Sequence, residues 1–270
     1  MGMSTFSGKA PPGIDPDALR GTLIVVEGPD SSGRSTQISR LREWIEQSGY
    51  PVAETGLKRS QLVGSDLEKA KQGNVLSPRT LSLFYATDFY DQLENRIVPA
   101  LRAGFVVLAD RYIFTLMARD TVRGADPAWV ESLYALALVP HAVYYLVVSP
   151  EALLERTLTK HGRLDYWESG MDLGLSRDWV TSYRRYQRRL RSQFKALQKQ
   201  YGFEAIGANR PVEAIHRELQ ARIASVLAQR YPIPPVAGGK DVAVAHSGNR
   251  RAGAIRPGRR KWRPIPPARG

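Results

Sequence analysis

Five short apolar runs rich in β-branched and aromatic residues punctuate the chain. They are GTLIVVEG (21–28), YPVAET (50–55), FVVLADRY (105–112), AVYYLVVS (142–149) and FEAIGA (203–208). Continuous rather than alternating apolar character predicts strands buried on both faces. Between the runs, apolar residues recur every three or four positions, as expected of helices. In STQISRLREWIEQSG, Ile38, Leu41 and Ile45 share one face and Gly49 stops the pattern. Helical stretches are also predicted over 78–104 (one long or broken run), 127–139, 150–162, 176–202 and 211–231. Ser149 followed by Pro150 makes a cap and first turn. Strands alternating with helices predict an α/β domain: a parallel sheet with helices on both faces, three layers in all. In such sheets ligands bind at the carboxyl ends of the strands.

The pattern stops at both ends. Residues 1–20 hold Gly and Pro without a periodic apolar face and read as a flexible leader. Residues 21–231 form the domain, and 232–270 read as a basic, Pro/Gly-rich, disordered tail. Charge sharpens this division. The net charge is +13, but Val236–Gly270 alone contributes +8, leaving +5 for the rest. That remainder suits a protein handling phosphates, and the tail could contact polyanions through counterion release. The chain has no cysteine, which excludes thiolate chemistry and disulfides and fits a cytoplasmic protein. No apolar run approaches the roughly 18 residues needed to span a membrane.

One loop carries the chemistry. GPDSSGRST, Gly28 to Thr36, has the spacing G-x-x-x-x-G-[K/R]-[S/T] between a predicted strand and a predicted helix. Backbone N–H groups of Gly28, Asp30, Ser31, Ser32, Gly33, Arg34, Ser35 and Thr36 are expected to wrap phosphate oxygens, aided by the helix dipole. This makes the expected architecture a P-loop NTPase fold with ATP as the ligand. Ser35 is placed to offer its hydroxyl to Mg²⁺. Arg34 stands where such loops carry lysine; it brings charge, but in a bulkier planar fork. A slower enzyme or a pure nucleotide binder would follow from that exchange.

These residues resemble the thymidylate kinase family of P-loop nucleoside monophosphate kinases over roughly residues 21 to 230. EGPDSSGRSTQ matches the family loop at Glu27, Asp30, Ser35, Thr36 and Gln37. LADRY, with Thr115 beyond it, matches the family D-R-Y element, and LLERTLTKHGRLDYWE is similar to its lid, about 156–170. The resemblance implies that Asp30 faces the acceptor's sugar hydroxyl, though an ordinary Asx turn would use the same residue. It implies that Asp110 serves Mg²⁺ or orients Arg111, and that Arg111 with Tyr112 meets the acceptor nucleotide. Arg156, Lys160 and Arg163 fall at lid positions, with Asp165 and Glu168 at its acidic end. Ser31, where a basic residue could stand, resembles the bacterial arrangement in which the lid supplies the catalytic cations. Arg34, Arg111, Lys160 and Arg163 are accordingly the expected catalytic set.

Three departures concern the acceptor. ETGLKRSQLVGSDL replaces the family's R-E-P-G-G segment, leaving Lys58 and Arg59 as phosphate contacts or plain loop cations. LFYATDFYDQ lacks the base-reading arginine and puts Asp88 or Phe89 there; Phe84 or Tyr85 stacks on a base or belongs to the core. The A-Y-Q element becomes Ala118-Arg119-Asp120. The expectation is therefore ATP-dependent phosphoryl transfer to a nucleoside monophosphate, with dTMP the family default. The alternative is a catalytically weak or silent P-loop module with a polyanion-binding tail. A homodimer is implied by the resemblance alone.

Overall fold

In the computed structural model, residues 3–73 and 76–231 are described; the basic tail expected from 232 onward lies outside them. Five parallel strands form one sheet in the order β2-β3-β1-β4-β5: β1 Thr22–Glu27, β2 Val52–Gly56, β3 Val106–Asp110, β4 Ala142–Val147 and β5 Glu204–Gly207. Every residue of β1 is buried. Its side chains alternate between two cores, Leu23 and Val25 on one face, Ile24 and Val26 on the other. The second face is covered by α1 Arg34–Gln47 and α9 Val212–Arg230, through Ile38, Leu41, Ile45, Leu219 and Ile223. Truncating Leu41, which is fully buried, would cost about 2–5 kcal/mol.

The opposite face is covered by α3 Pro78–Gln92, α4 Val98–Arg102, α5 Ile113–Val122 and α8 Trp179–Tyr201. Helix α8 is strongly basic, yet it folds on its other side: Tyr186, Leu190, Phe194 and Leu197 are buried in this core. Asp178 accepts from the Thr181 N–H at 2.7 Å and caps it. The expected run over 78–104 is helical as far as Arg102, but it widens into one π turn at Leu93–Ile97 ahead of Pro99, whose ring cannot sit in an undisturbed α-helix.

Three expectations change. Helix α2, Gly64–Gly73, lies in the segment where R-E-P-G-G was sought. It buries Leu67 fully, and a helix announced by so few apolar residues shows no period in sequence. Helix α6 is shorter than the 127–139 run, covering Pro127–Leu133. The leader is not loose. Thr5 pairs with Leu138 in an isolated antiparallel bridge, Met3 is buried, and the Phe6 ring meets Phe114 and Tyr201 edge-on at 6.0 and 5.4 Å. These partners are more than a hundred residues away, so no local pattern announces them. Helix α7, Pro150–His161, follows β4 and leads toward the expected lid.

Candidate active site

The carboxyl ends of β1 and β3 place the loop and the D-R-Y element side by side, since Val26 is in register with Asp110. Gly28 leaves the strand where a Cβ would lie 2.9 Å from Ser32 Oγ and 3.3 Å from the Leu146 side chain, so no larger residue fits. Ser31 and Gly33 adopt left-handed backbone, φ 62° and 89°, and turn the chain into the N-terminus of α1. The result is a curved loop in front of a helix N-terminus, a form suited to anions. Ser32 Oγ inside it is buried and unpartnered. Ser35 and Thr36 are exposed at the first turn of α1.

Arg34 does not point away from the loop. Its Nε donates to Asp110 Oδ1, and its Nη1 donates to the Gly28 carbonyl and to that of Pro29 at 3.1 Å. One guanidinium thus ties the loop to the end of β3, a task for a fork of donors rather than an ammonium point charge. Asp30 is taken by two arginines: Oδ1 by Arg111 and Oδ2 by Arg119 at 2.7 Å. Burial alone would raise the Asp30 pKa; the charges of Arg111, Arg119 and Arg34 outweigh it and hold the carboxyl well below the usual range. Arg111 is itself in left-handed backbone, φ 72°, costly for a side chain with a Cβ. Its Nε is buried without a partner, an N–H donor suited to an oxyanion. Burial, then the neighbouring Arg34 charge, lowers its pKa from the arginine value.

Glu27 stabilises that unusual turn. It is fully buried and accepts from the Tyr112 N–H at 2.9 Å, the Thr115 N–H at 3.2 Å and the Thr115 hydroxyl at 2.5 Å. Burial raises its pKa against those hydrogen bonds. Tyr112, expected at the acceptor, lies in the core instead: it is 2% exposed and its hydroxyl donates to the Leu138 carbonyl at 3.0 Å. A residue directly after Arg111 points the other way, and here that way is inward. Arg59 lies near the same strand ends, 3.5 Å from Glu54 and 4.0 Å from Asp110, whereas Lys58 turns to Glu68 at 2.6 Å.

The replaced base-reading segment has become structural. Asp88 is fully buried and accepts from the backbone N–H groups of Lys58 (2.8 Å) and Ser60 (2.9 Å), holding the β2–α2 loop. Phe89 is 4% exposed, among Tyr90, Tyr112 and Tyr134. Tyr85 lines a pocket with Leu116, Arg119, Asp120, Trp167 and Tyr186, while Phe84 packs half-buried against the core. Arg119 and Arg123 are the residues that sequence reasoning passed over. Arg119 meets Asp30 across 89 positions of sequence, so no motif links them. Arg123 donates to Asp172 (2.8 Å), the Tyr186 hydroxyl (2.8 Å) and the Trp167 carbonyl (3.0 Å), fastening the end of the expected lid and the residues just after it to the end of α5.

The lid residues divide. Arg156 reaches the Ser32 carbonyl (3.4 Å) and the Ala208 carbonyl (2.9 Å), and Thr157 donates to Ser31 Oγ at 2.9 Å, so α7 packs on the loop. Asp165 accepts from the N–H groups of Trp167 and Glu168 and shapes the following turn. Lys160 and Arg163 are exposed, and no contact among the described residues joins them to the loop. Among the described residues no cluster of three or more His, Cys, Asp or Glu side chains could hold a metal. Ser35 and Asp110 nonetheless form the sparse oxygen set that Mg²⁺ accepts when phosphate oxygens complete its shell. No helix among the described residues is long and apolar enough to cross a membrane.

Comparison with known proteins agrees with this geometry. The thymidylate kinase family profile matches residues 26–219. A probable thymidylate kinase 2 of Saccharolobus solfataricus is 36% identical over 203 residues, covering 75% of this chain and 95% of its own length. A probable thymidylate kinase of Thermococcus kodakarensis is 28% identical, covering 77% and 99%. A thymidylate kinase of Halothermothrix orenii is 29% identical over the same shares. The alternative of a silent module gains no support from these relatives.

Proposed function

The chain belongs to the thymidylate kinase family of nucleoside monophosphate kinases, and we propose that it transfers the γ-phosphoryl group of ATP to dTMP, giving dTDP and ADP. One observation carries the reading. A curved P-loop and a strained, buried arginine at the end of β3 share one carboxylate, Asp30, with an unpartnered Nε on Arg111 beside it. Loop amides from Gly28 to Thr36 bind the donor's phosphates. Arg111 and Arg59 take the acceptor's 5′-phosphate, and Tyr85 flanks its base.

Phosphoryl transfer asks the protein for position and positive charge. The acceptor phosphate oxygen is the nucleophile, so no protein base is required. Arg34 fixes the loop to β3 and adds charge beside the phosphates; Lys160 and Arg163 complete the positive surround when the segment after α7 folds over them. Mg²⁺ would be held by the Ser35 hydroxyl and by Asp110, and when bound it neutralises phosphate charge. Asp30 orients Arg111 and Arg119 with one bond on each oxygen, and the lone pair that each oxygen keeps lets it also accept from the acceptor's sugar hydroxyl.

A coupled assay of the full chain with MgATP and each (deoxy)nucleoside monophosphate tests the reading. ADP release that requires dTMP supports it. Nucleotide binding without acceptor-dependent ADP release would refute it.

A further inference from the structure

The pocket that Arg119 lines lies between α3, α5 and α8 and is walled by Tyr85, Leu116, Trp167 and Tyr186. The accessible space is a slit of about 30 Å³, so the flat aromatic walls, whose chemistry suits a nucleobase, must part to admit one. The polar groups differ in their freedom. Arg123 is committed, with donors spent on Asp172, Tyr186, Trp167 and the Arg119 carbonyl. Asp120 is less so: the Ser82 side chain stands beside its carboxyl, but its Oδ2 is buried and accepts no hydrogen bond. Arg119 stands one residue before it, held by Asp30 at 2.7 Å and lining the same pocket. A buried acceptor with no donor is costly unless a ligand supplies one.

We propose that Asp120 reads the acceptor base by accepting a hydrogen bond from a ring N–H, while Arg119 donates to the adjacent carbonyl. The inference rests on the acceptor reading of this pocket. A carboxylate only accepts and a guanidinium only donates. The pair therefore matches a base carrying a ring N–H beside a carbonyl, as in thymine, uracil and guanine. It disfavours cytosine and adenine, whose corresponding ring nitrogens are acceptors and would face the carboxylate lone pair to lone pair. The donor missing from α3 is thereby replaced from α5, together with an acceptor. Charged or titratable groups facing Asp120 are Arg119 of its own helix, Arg123 just after it, Tyr85 of α3, Tyr134, Glu168 and Tyr186 of α8.

The test is equilibrium binding of dTMP, dUMP, dGMP, dCMP and dAMP to the full chain without ATP, for wild type, Asp120→Ala and Asp120→Asn. Wild type is expected to favour the first three by at least tenfold. Asp120→Ala should lose at least tenfold for those three and leave dCMP and dAMP unchanged. Asp120→Asn, whose amide can also donate, should narrow the gap by gaining for dCMP. Unchanged MgATP affinity, with a melting temperature no lower than that of wild type, marks the variants as folded. A wild-type preference for dCMP or dAMP, or an unaltered profile in Asp120→Ala, overturns the proposal. Discrimination in binding with no turnover of any acceptor would refute the kinase reading and leave this one standing. Turnover with a profile indifferent to Asp120 would do the reverse.

Discussion

The cations of the site are held in two opposite ways. Arg34, Arg111 and Arg119 are largely buried, and each rests on a carboxylate, Asp110 or Asp30, at the ends of β1 and β3. Lys160 and Arg163 are exposed on and after α7, with no ion pair among the described residues. Buried guanidinium groups cannot remain unpaired, so their carboxylates fix their directions before any nucleotide arrives. Exposed ammonium and guanidinium groups need no partner and remain able to move. The first set provides a preorganised surface; the second can supply charge on closure.

Changing Asp30 breaks the contrast most severely. Asp30→Ala leaves two buried guanidinium groups without their shared carboxylate, and stability should fall by about 3–5 kcal/mol in urea unfolding. Turnover of the folded fraction should fall by about 10³ or more, since Arg111 and Arg119 lose their orientation. Arg111→Ala should lower kcat/KM for the acceptor by a comparable factor, about 10²–10³, with the KM for MgATP little changed in initial-rate measurements. Arg34→Lys keeps the charge but cannot serve Asp110 and the two loop carbonyls together. A loss of about tenfold in kcat with a lowered melting temperature is expected.

The double variant Lys160→Ala/Arg163→Ala should reduce kcat by about ten- to a hundredfold while leaving stability within about 0.5 kcal/mol. The smallest effect concerns pH. Burial, against the opposing pull of the Ser82 side chain, Arg123 and Arg119, raises the Asp120 pKa to about 6. A raised carboxyl pKa means that the folded state holds the proton more tightly than the unfolded one. Stability from this group is therefore greatest at low pH and is lost as pH rises from about 4 to about 6. Asp120→Asn should remove that slope, gaining relative to wild type between pH 4 and pH 7 by about 1–3 kcal/mol in urea unfolding.

The same contrast explains what was legible in sequence. The strands and the loop carry strong local signals: continuous apolar runs, and glycines at spacings set by a Cβ clash at Gly28 and a left-handed turn at Gly33. Arg111 was legible because it ends such a run. Arg119 was not, because its meaning lies in a carboxylate 89 positions earlier. Tyr112 misled for a related reason: its neighbour faces the site, but the turn that strains Arg111 sends the next side chain into the core. Helix α2 and the packed leader were invisible because Leu67 and Phe6 are held by tertiary contacts rather than by a repeating pattern. Asp88, in the place of a base reader, became a clamp for the loop that precedes α2.

The most direct test of the central claim is a side-by-side measurement of dTDP formation and melting temperature for wild type, Asp30→Asn and the lid double variant. The account predicts that Asp30→Asn loses both turnover and stability, while the lid variant loses turnover alone. An Asp30→Asn protein that keeps turnover within tenfold of wild type would contradict it.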